Sequence, residues 1–372
     1  MSDILVIGAR GIPDAEGGAE KHAERLFPIF VERGYSVTML GISRFIRARG
    51  YRGVRLRRIP TVPVAGTDKL VYHFLAFLYA AVTRSRLVHL QGLNSAIFLL
   101  LYKLCGLKVV LRYGSADHEY SKWGIVGRLG FRLCELQIRF SDHVIAVSQK
   151  YKETLQQRYG LERISVIPNG LDRNELSEES LAFWRGLGLE GVRYVLAVGR
   201  VTIDKDYDTL VEAVKGLADQ RVILVVAGGP DEKGYADRFF DHPNKRIRFV
   251  GCVDRSLLPV LYINCAVYVN CSRHEGLSNA ILEAIAYERP VIAGDIPANT
   301  EMELSACSYF RTGDVAALRE LIEQALAEPA TFIADKEHFQ SWEEVCMQTE
   351  RVYHAVLPDF LARRPVVTAG QG

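Results

Sequence analysis

The feature that most restricts this chain is its regular alternation of short, mostly apolar runs with longer amphipathic segments. Ile4 to Gly8, Ser36 to Leu40, Leu87 to Leu90, Lys108 to Tyr113 and His143 to Val147 read as strands. Helical patterns lie between them, near Ala19 to Arg33, Leu70 to Val82, Ser95 to Cys105, Gly127 to Phe140 and Ser148 to Tyr159. Strands that are mostly apolar on both sides need cover on both faces, and a parallel sheet between helices supplies it. The pattern pauses over the polar stretch Asp172 to Gly191 and restarts at Tyr194-Val-Leu-Ala-Val-Gly-Arg200. Further strands are expected at Val222 to Ala227, Arg248 to Gly251, Ala266 to Asn270 and Val291 to Ala293, with helices near Tyr207 to Leu217 and Ser256 to Ile263. The alternation predicts an α/β chain of two doubly wound, Rossmann-like domains. Ligands of such sheets bind at the carboxyl ends of the strands, which predicts a cleft between the domains.

A length of 372 residues gives each domain enough chain for its own core. The boundaries read as 1–170, 171–340 and a terminal segment 341–372, in which Phe339-Gln-Ser-Trp342 opens a helix to about Leu357 and a frayed tail follows from Arg363. A net charge of only +2 speaks against general nucleic-acid binding. Seven cysteines, none in Cys-x-x-Cys spacing, read as buried, reduced thiols of a cytosolic protein. The chain enters a strand at once, so no signal peptide is expected. Histidine spacing fits no zinc site, and no Ser-His-Asp set stands out.

The densest chemistry lies in Cys271 to Pro290, a loop and helix directly after a strand. Free N–H groups and the positive dipole end make such a corner a site for an anion, above all a phosphate. Glu275 precedes the helix and Glu283 lies inside it, about 9 Å apart along the axis. Two carboxylates flanking a phosphate site suit a ligand with a diphosphate at its centre and a hydroxyl-rich ring at each end, the shape of a nucleotide sugar. Arg200 and Lys205, in Gly199-Arg-Val-Thr-Ile-Asp-Lys205, follow a strand and can balance a diphosphate leaving group. Asp204-Lys-Asp206 spells Asp-x-Asp, but the lysine between the carboxylates and the nearby helix end can neutralise a phosphate without a metal. Gly17 and Gly18 close a glycine-rich loop, Ala9 to Gly18, that lacks Gly-x-Gly-x-x-Gly. That weakens a nicotinamide-dinucleotide reading, and leaves close backbone approach to a ligand or a plain turn.

Glu-Gly-Leu-Ser-Asn-Ala-Ile-Leu-Glu-Ala, followed by Arg-Pro-Val-Ile-Ala, resembles the Glu-x7-Glu signature of family 4 retaining glycosyltransferases of the GT-B fold. Gly18-Ala-Glu-Lys21 resembles that family's Gly-Gly-x-Glu loop, Val-Ile-Pro-Asn-Gly-Leu-Asp172 the end of its first domain, and the N-terminal Gly-Ile-Pro and Lys-Trp-Gly124 a subgroup of bacterial polysaccharide and rhamnosyltransferase-type enzymes. The resemblance implies that Arg200 and Lys205 bind donor phosphates and that Glu275 lies near the donor sugar. It further implies that Glu283 binds the ribose, that Gly251 and Val253 lie in the loop that reads the base, and that Leu277, Ser278 and Asn279 offer N–H groups to phosphate. Asp117 and His118 become candidates for contact with the sugar, with a helix cap and a surface histidine as the plain alternative. His274 reads equally as a satisfied loop residue.

The expected activity is transfer of a sugar from a nucleotide-diphosphate donor to an acceptor hydroxyl with retention, without metal or cofactor. The acceptor would meet the first domain and be a saccharide, here expected to be lipid-linked, of envelope polysaccharide or O-antigen assembly. Seven arginines between Arg44 and Arg58, with no acid from Arg33 to Thr67, form a solvated basic face, a hold for a phosphate-bearing acceptor, or a contact with anionic lipid at the inner face of the plasma membrane. The apolar helix Leu70 to Val82 is too short to span a bilayer. A nucleotide-sugar 2-epimerase of the same fold and a nucleotide-binding scaffold are the alternatives.

Overall fold

A computed structural model describes residues 2–13, 15, 17–61, 67–115, 125–231, 234–240 and 244–360. The chain divides into two units, 1–169 with 341–372, and 170–340.

In the first unit, β1 (Ile4–Ile7) leads to α1 (Gly18–Glu32), β2 (Val37–Ile42), a hairpin of β3 (Gly50–Tyr51) and β4 (Val54–Ile59), and α2 (Thr67–Thr83). Then follow β5 (Leu87–Gln91), α3 (Leu99–Leu104), β6 (Val109–Tyr113), α4 (Ile125–Gln137), β7 (His143–Ala146), α5 (Gln149–Tyr159) and β8 (Ile164–Val166). The sheet order is β3-β4-β2-β1-β5-β6-β7-β8, parallel except for the β3–β4 pair. The chain steps one way from β1 to β2 and the other way from β4 through β8. Right-handed crossovers therefore put α1 on one face and α2 to α5 on the other.

Sequence reading assigned no strand to Arg44–Arg58. The structure shows why the stretch pairs: Val54, Leu56 and Ile59 of β4 are buried while Arg55, Arg57 and Arg58 are exposed. Ile46, Val54 and Leu56 thus serve the core, Phe45 and Tyr51 are half-buried, and the seven arginines are exposed.

The second unit begins with α6 (Glu178–Gly186), β9 (Tyr194–Val198), α7 (Tyr207–Lys215), β10 (Ile223–Ala227), α8 (Asp237–Phe240) and β11 (Ile247–Gly251). It continues with α9 (Leu258–Asn264), β12 (Val267–Asn270), α10 (Asn279–Ala286), β13 (Val291–Gly294), α11 (Pro297–Thr300), β14 (Tyr309–Phe310) and α12 (Val315–Ala327). Its sheet is parallel, in the order β11-β10-β9-β12-β13-β14.

The last helix, α13 (Trp342–Val356), belongs to the first unit and packs on α1. Trp342, Val345, Cys346, Val352 and Tyr353 enter that unit's core, and the Tyr353 hydroxyl meets His89 Nδ1 at 2.6 Å. Burial drives the His89 pKa down to about 3, so the ring stays neutral. A Ser341 to Glu344 capping box starts the helix.

None of the seven cysteines is in a disulfide, but the expectation of buried thiols holds only for Cys134, Cys265, Cys271 and Cys346. Cys105 and Cys252 are exposed and Cys307 is half-buried, because their apolar neighbours sit at element ends and not in element centres.

Candidate functional site

In the second unit the strand order reverses between β9 and β12. Chain leaving β9 turns to one side of the sheet and chain leaving β12 to the other, which opens a crevice at their carboxyl ends. The residues after these two strands are those with the densest chemistry in the sequence.

After β9, Gly199 adopts φ 153°, and Val201 and Gly199 donate backbone bonds to Gly229 and Ala227. A Cβ at Gly228 would collide with the Gly199 carbonyl, so the ends of β9 and β10 come as close as bare backbone allows. A short 3-10 turn, Ile203–Lys205, then aims Lys205 back toward the sheet. Asp206 follows in the left-handed region, and its carboxylate accepts from Thr209 Oγ1 at 2.9 Å and pairs with Arg273 at 3.0 Å. That Asp-x-Asp carboxylate is therefore engaged by protein donors.

After β12, Asn270 organises the loop. Its side chain accepts from Ser272 N at 3.1 Å and donates to Ser278 Oγ at 3.0 Å. Ser278 caps α10, accepting from Ile281 N at 3.4 Å. Glu275 Oε1 accepts from Ser272 Oγ at 2.9 Å and forms an ion pair with Lys205 Nζ. The ammonium from one side of the crevice and the carboxylate from the other thus meet beside the amino end of α10. Both are largely shielded, with side-chain exposures of 23% and 13%.

Arg200 does not join this pair. It is exposed and bonds to Asp231, beyond β10. Leu277 and Asn279 are half-buried at the mouth of α10, and His274 is an exposed loop residue. Glu283 lies further along α10, where its Oε2 accepts from Tyr262 OH at 2.7 Å. Tyr262 is fully buried, and burial followed by the Glu283 charge pushes its pKa well above the usual value, so it remains a donor. Gly251 ends β11 at φ 76°, its carbonyl bonded by Gly228 N at 2.8 Å, and the half-buried Val253 packs against the core.

In the first unit, Gly17 caps α1 at φ 130°, and a Cβ there would strike the Glu20 carboxylate. Glu20 is buried and accepts from Arg10 N and Nε, both at 3.0 Å. Gly18 is the first, exposed residue of α1. Arg10 and Arg44 lie over the same Phe45 ring, at 5.1 and 5.0 Å. The glycine loop and the start of the arginine stretch are therefore one neighbourhood. Asp117 and His118 lie outside the described residues.

Sequence reasoning missed Arg10, Ser272, Asp231 and Tyr262. Tyr262 carried no signal, since its 21-residue distance from Glu283 follows only from the packing of α9 on the sheet. Among the described residues, no cluster of His, Cys, Asp and Glu is built to hold a metal, and no helix is long and apolar enough to cross a membrane.

The family model described as Glycosyltransferase Family 4 matches residues 16–175, and that of Glycosyl transferases group 1 matches residues 192–328. The O-antigen chain mannosyltransferase of Salmonella typhimurium is 25% identical over 195 residues, 51% of this chain and 53% of that protein. The lipopolysaccharide core biosynthesis mannosyltransferase of Rhizobium leguminosarum is 28% identical over 276 residues, 68% of this chain and 72% of that one. The chain spans about half the length of the first curated relatives that it matches. Anabaena HepE, solved in complex with UDP and glucose, shares the fold with a TM-score of 0.75 at 16% identity, over 95% of this chain and all of that one.

Proposed function

Because this chain belongs to the family 4 glycosyltransferases, we propose that it moves a sugar from a nucleotide-diphosphate donor to an acceptor hydroxyl, with retention at the anomeric carbon. The observation that carries this reading is the meeting of Lys205 and Glu275 across the crevice of the second unit, at the amino end of α10.

In this reading the donor diphosphate lies between the Lys205 ammonium and the first turn of α10, with Arg200 on its outer side. Glu275 holds Lys205 in place and faces the donor sugar, and Glu283, oriented by Tyr262, takes the ribose hydroxyls. The bond between the anomeric carbon and the phosphate oxygen breaks as the acceptor oxygen bonds from the same face. The departing phosphate oxygen takes the acceptor proton, so no separate protein base is required. Lys205 and the helix dipole stabilise the charge that develops on the leaving group. Neither needs a divalent ion to do so.

The acceptor side is assigned to the first unit. Two of the relatives act in O-antigen and lipopolysaccharide core assembly by name, which favours a lipid-linked saccharide. The exposed arginines of Arg44–Arg58 would attract its anionic carrier. No observation favours the 2-epimerase or scaffold alternatives.

The test is turnover of a panel of nucleotide sugars with lipid-linked saccharides in the presence of EDTA. The reading expects release of nucleoside diphosphate that depends on acceptor, and a product whose anomeric configuration by NMR matches the donor. An inverted product, or strict dependence on magnesium, would overturn the mechanism.

A further inference from the structure

The outer layer of the first unit has a surface that its fold does not require. Helix α2 buries Tyr72, His73, Ala76, Phe77 and Ala80 against the sheet, as a covering helix should. Its opposite side is also apolar: Leu70, Val71, Phe74, Leu78 and Val82 are exposed, Val82 to 83%. At about 100° per residue these five fall within one third of the helix circumference. Helix α3 continues the pattern with Leu100 and with Leu104, which is 75% exposed.

Helix α4 adds charge to the same pattern. Leu129, Leu133, Leu136 and the following Phe140 are exposed and fall on one stripe. Arg128, Arg132 and Arg139 are exposed as well and fall on a second stripe, about a quarter-turn away. Among the described residues none of the three arginines pairs with a carboxylate. The layer's own acids are engaged: Asp68 pairs with Arg44, and Glu135 is buried under the hydroxyls of Tyr113 and Tyr159.

These helices form one layer. They lie on the same face of the sheet, α2 packs on α3, and α4 packs on the 3-10 turn Leu93–Phe98 that precedes α3. Phe74 of α2 meets Phe98 of that turn at 5.7 Å, and Gln137 of α4 accepts from Leu100 N at 3.1 Å. Eleven of the sixteen exposed large apolar side chains among the described residues are on this layer or on Phe140 at its edge. Contiguous apolar patches of more than roughly a few hundred Å² are rare on soluble monomers and mark interaction surfaces.

We propose that the α2–α3–α4 layer docks on the surface of an anionic phospholipid bilayer, its leucines and phenylalanines entering the acyl boundary and Arg128, Arg132 and Arg139 meeting the phosphates. An apolar stripe beside a purely basic one is the pattern of a helix lying in a membrane interface. A second protein would also cover apolar surface, but basic residues without a matching acid single out an anionic partner. The inference extends the acceptor side of the proposed function and rests on it for its purpose. It also moves the expected membrane contact from the arginines of Arg44–Arg58 to the helical layer.

The experiment is flotation of the full chain with vesicles of phosphatidylcholine and phosphatidylglycerol in equal parts, compared with phosphatidylcholine alone. The chain is expected to float with the anionic vesicles, less so at high salt, and to stay behind with the neutral ones. Replacing the three arginines together (R128Q, R132Q, R139Q) should weaken partition about a hundredfold. Leu129→Gln with Leu133→Gln should abolish flotation at any salt. If the leucine variant fails to fold, the arginine variant decides alone. No flotation of the wild type, or variants that float as it does, would overturn the proposal. So would a dimer by light scattering that the leucine variant breaks and that does not float. Melting-temperature response to nucleoside diphosphates, measured on the same samples, reports on the second unit. Flotation without that response would remove the donor reading and keep the docking, and the reverse would remove the docking alone.

Discussion

Helices α7 and α12 of the second unit and α2 and α4 of the first have the same task, covering one face of a parallel sheet, yet they end in opposite surfaces. On α7 the outward positions hold Asp208 and Glu212, and on α12 they hold Arg319, Glu320, Glu323 and Gln324, with Val315 the one exposed large apolar residue, at its first position. On α2 and α4 they hold leucines, valine, phenylalanine and arginine. Both pairs bury their inner faces, so the fold explains the inner residues of each and the outer residues of neither. Burial on one side of a helix does not account for apolar residues on its other side, and for α2 to α4 the proposed bilayer contact would.

Lys205→Ala should lower the transfer rate by about two to three orders of magnitude, the cost of removing one preorganised donor to a developing charge. It should leave vesicle flotation unchanged, which steady-state kinetics and flotation on one preparation would check. Next in size, Leu318→Ala, in the buried face of α12, should cost about 2–5 kcal/mol in urea unfolding. Leu133→Gln on α4 should stay within about 0.5 kcal/mol of wild type, because Leu133 is already exposed. Equal losses would mean that α4 is covered within the folded chain.

Acid should separate the units as well. His73 and His89 of the first unit are held neutral by burial, with pKa values of about 3. The unfolded chain takes up protons on these rings near pH 6.5, so their contribution is complete above that pH and is lost as the pH falls toward 3. The loss is on the order of 2 kcal/mol per histidine by pH 5. In the second unit, His274 and His338 are exposed. Hydrogen exchange at pH 5 should therefore open the β1 and β5 amides before those of β9 and β12, and simultaneous opening would contradict the assignment. Ser278→Ala should have a smaller effect than the loss at either histidine. Loss of the α10 cap should cost about 1 kcal/mol in melting experiments and raise KM for the donor more than it lowers kcat.

The sheets were legible because Ile4–Ile7 and Tyr194–Val198 are apolar at every position and Val267–Asn270 at all but its last, which only a two-sided layer accommodates. β4 was not, although Val54-Arg-Leu-Arg-Arg-Ile59 half-alternates, because its charge drew a surface reading from a strand whose apolar side is core. The strand, loop and capped helix around Glu275 were legible from the apolar run and the Gly-Leu-Ser that follow one another there. That Glu275 would take Lys205, 70 positions away in the chain, could be read only from the order of the strands. The leucines of α4 read as an ordinary helix in the sequence. Periodicity tells which residues share a face, and here two faces of one helix are apolar or basic for different reasons.

The measurement that bears most directly on the central claim is a thermal-shift titration of UDP, GDP, dTDP and ADP in EDTA, on the wild type and on Lys205→Ala. The account predicts that one diphosphate raises the wild-type melting point without metal, by the equivalent of roughly 2.7 kcal/mol at a hundred times its dissociation constant. In Lys205→Ala most of that shift should disappear while the unliganded melting point changes little. A folded wild type that responds to none of the four, or a variant that responds as strongly as the wild type, would contradict it.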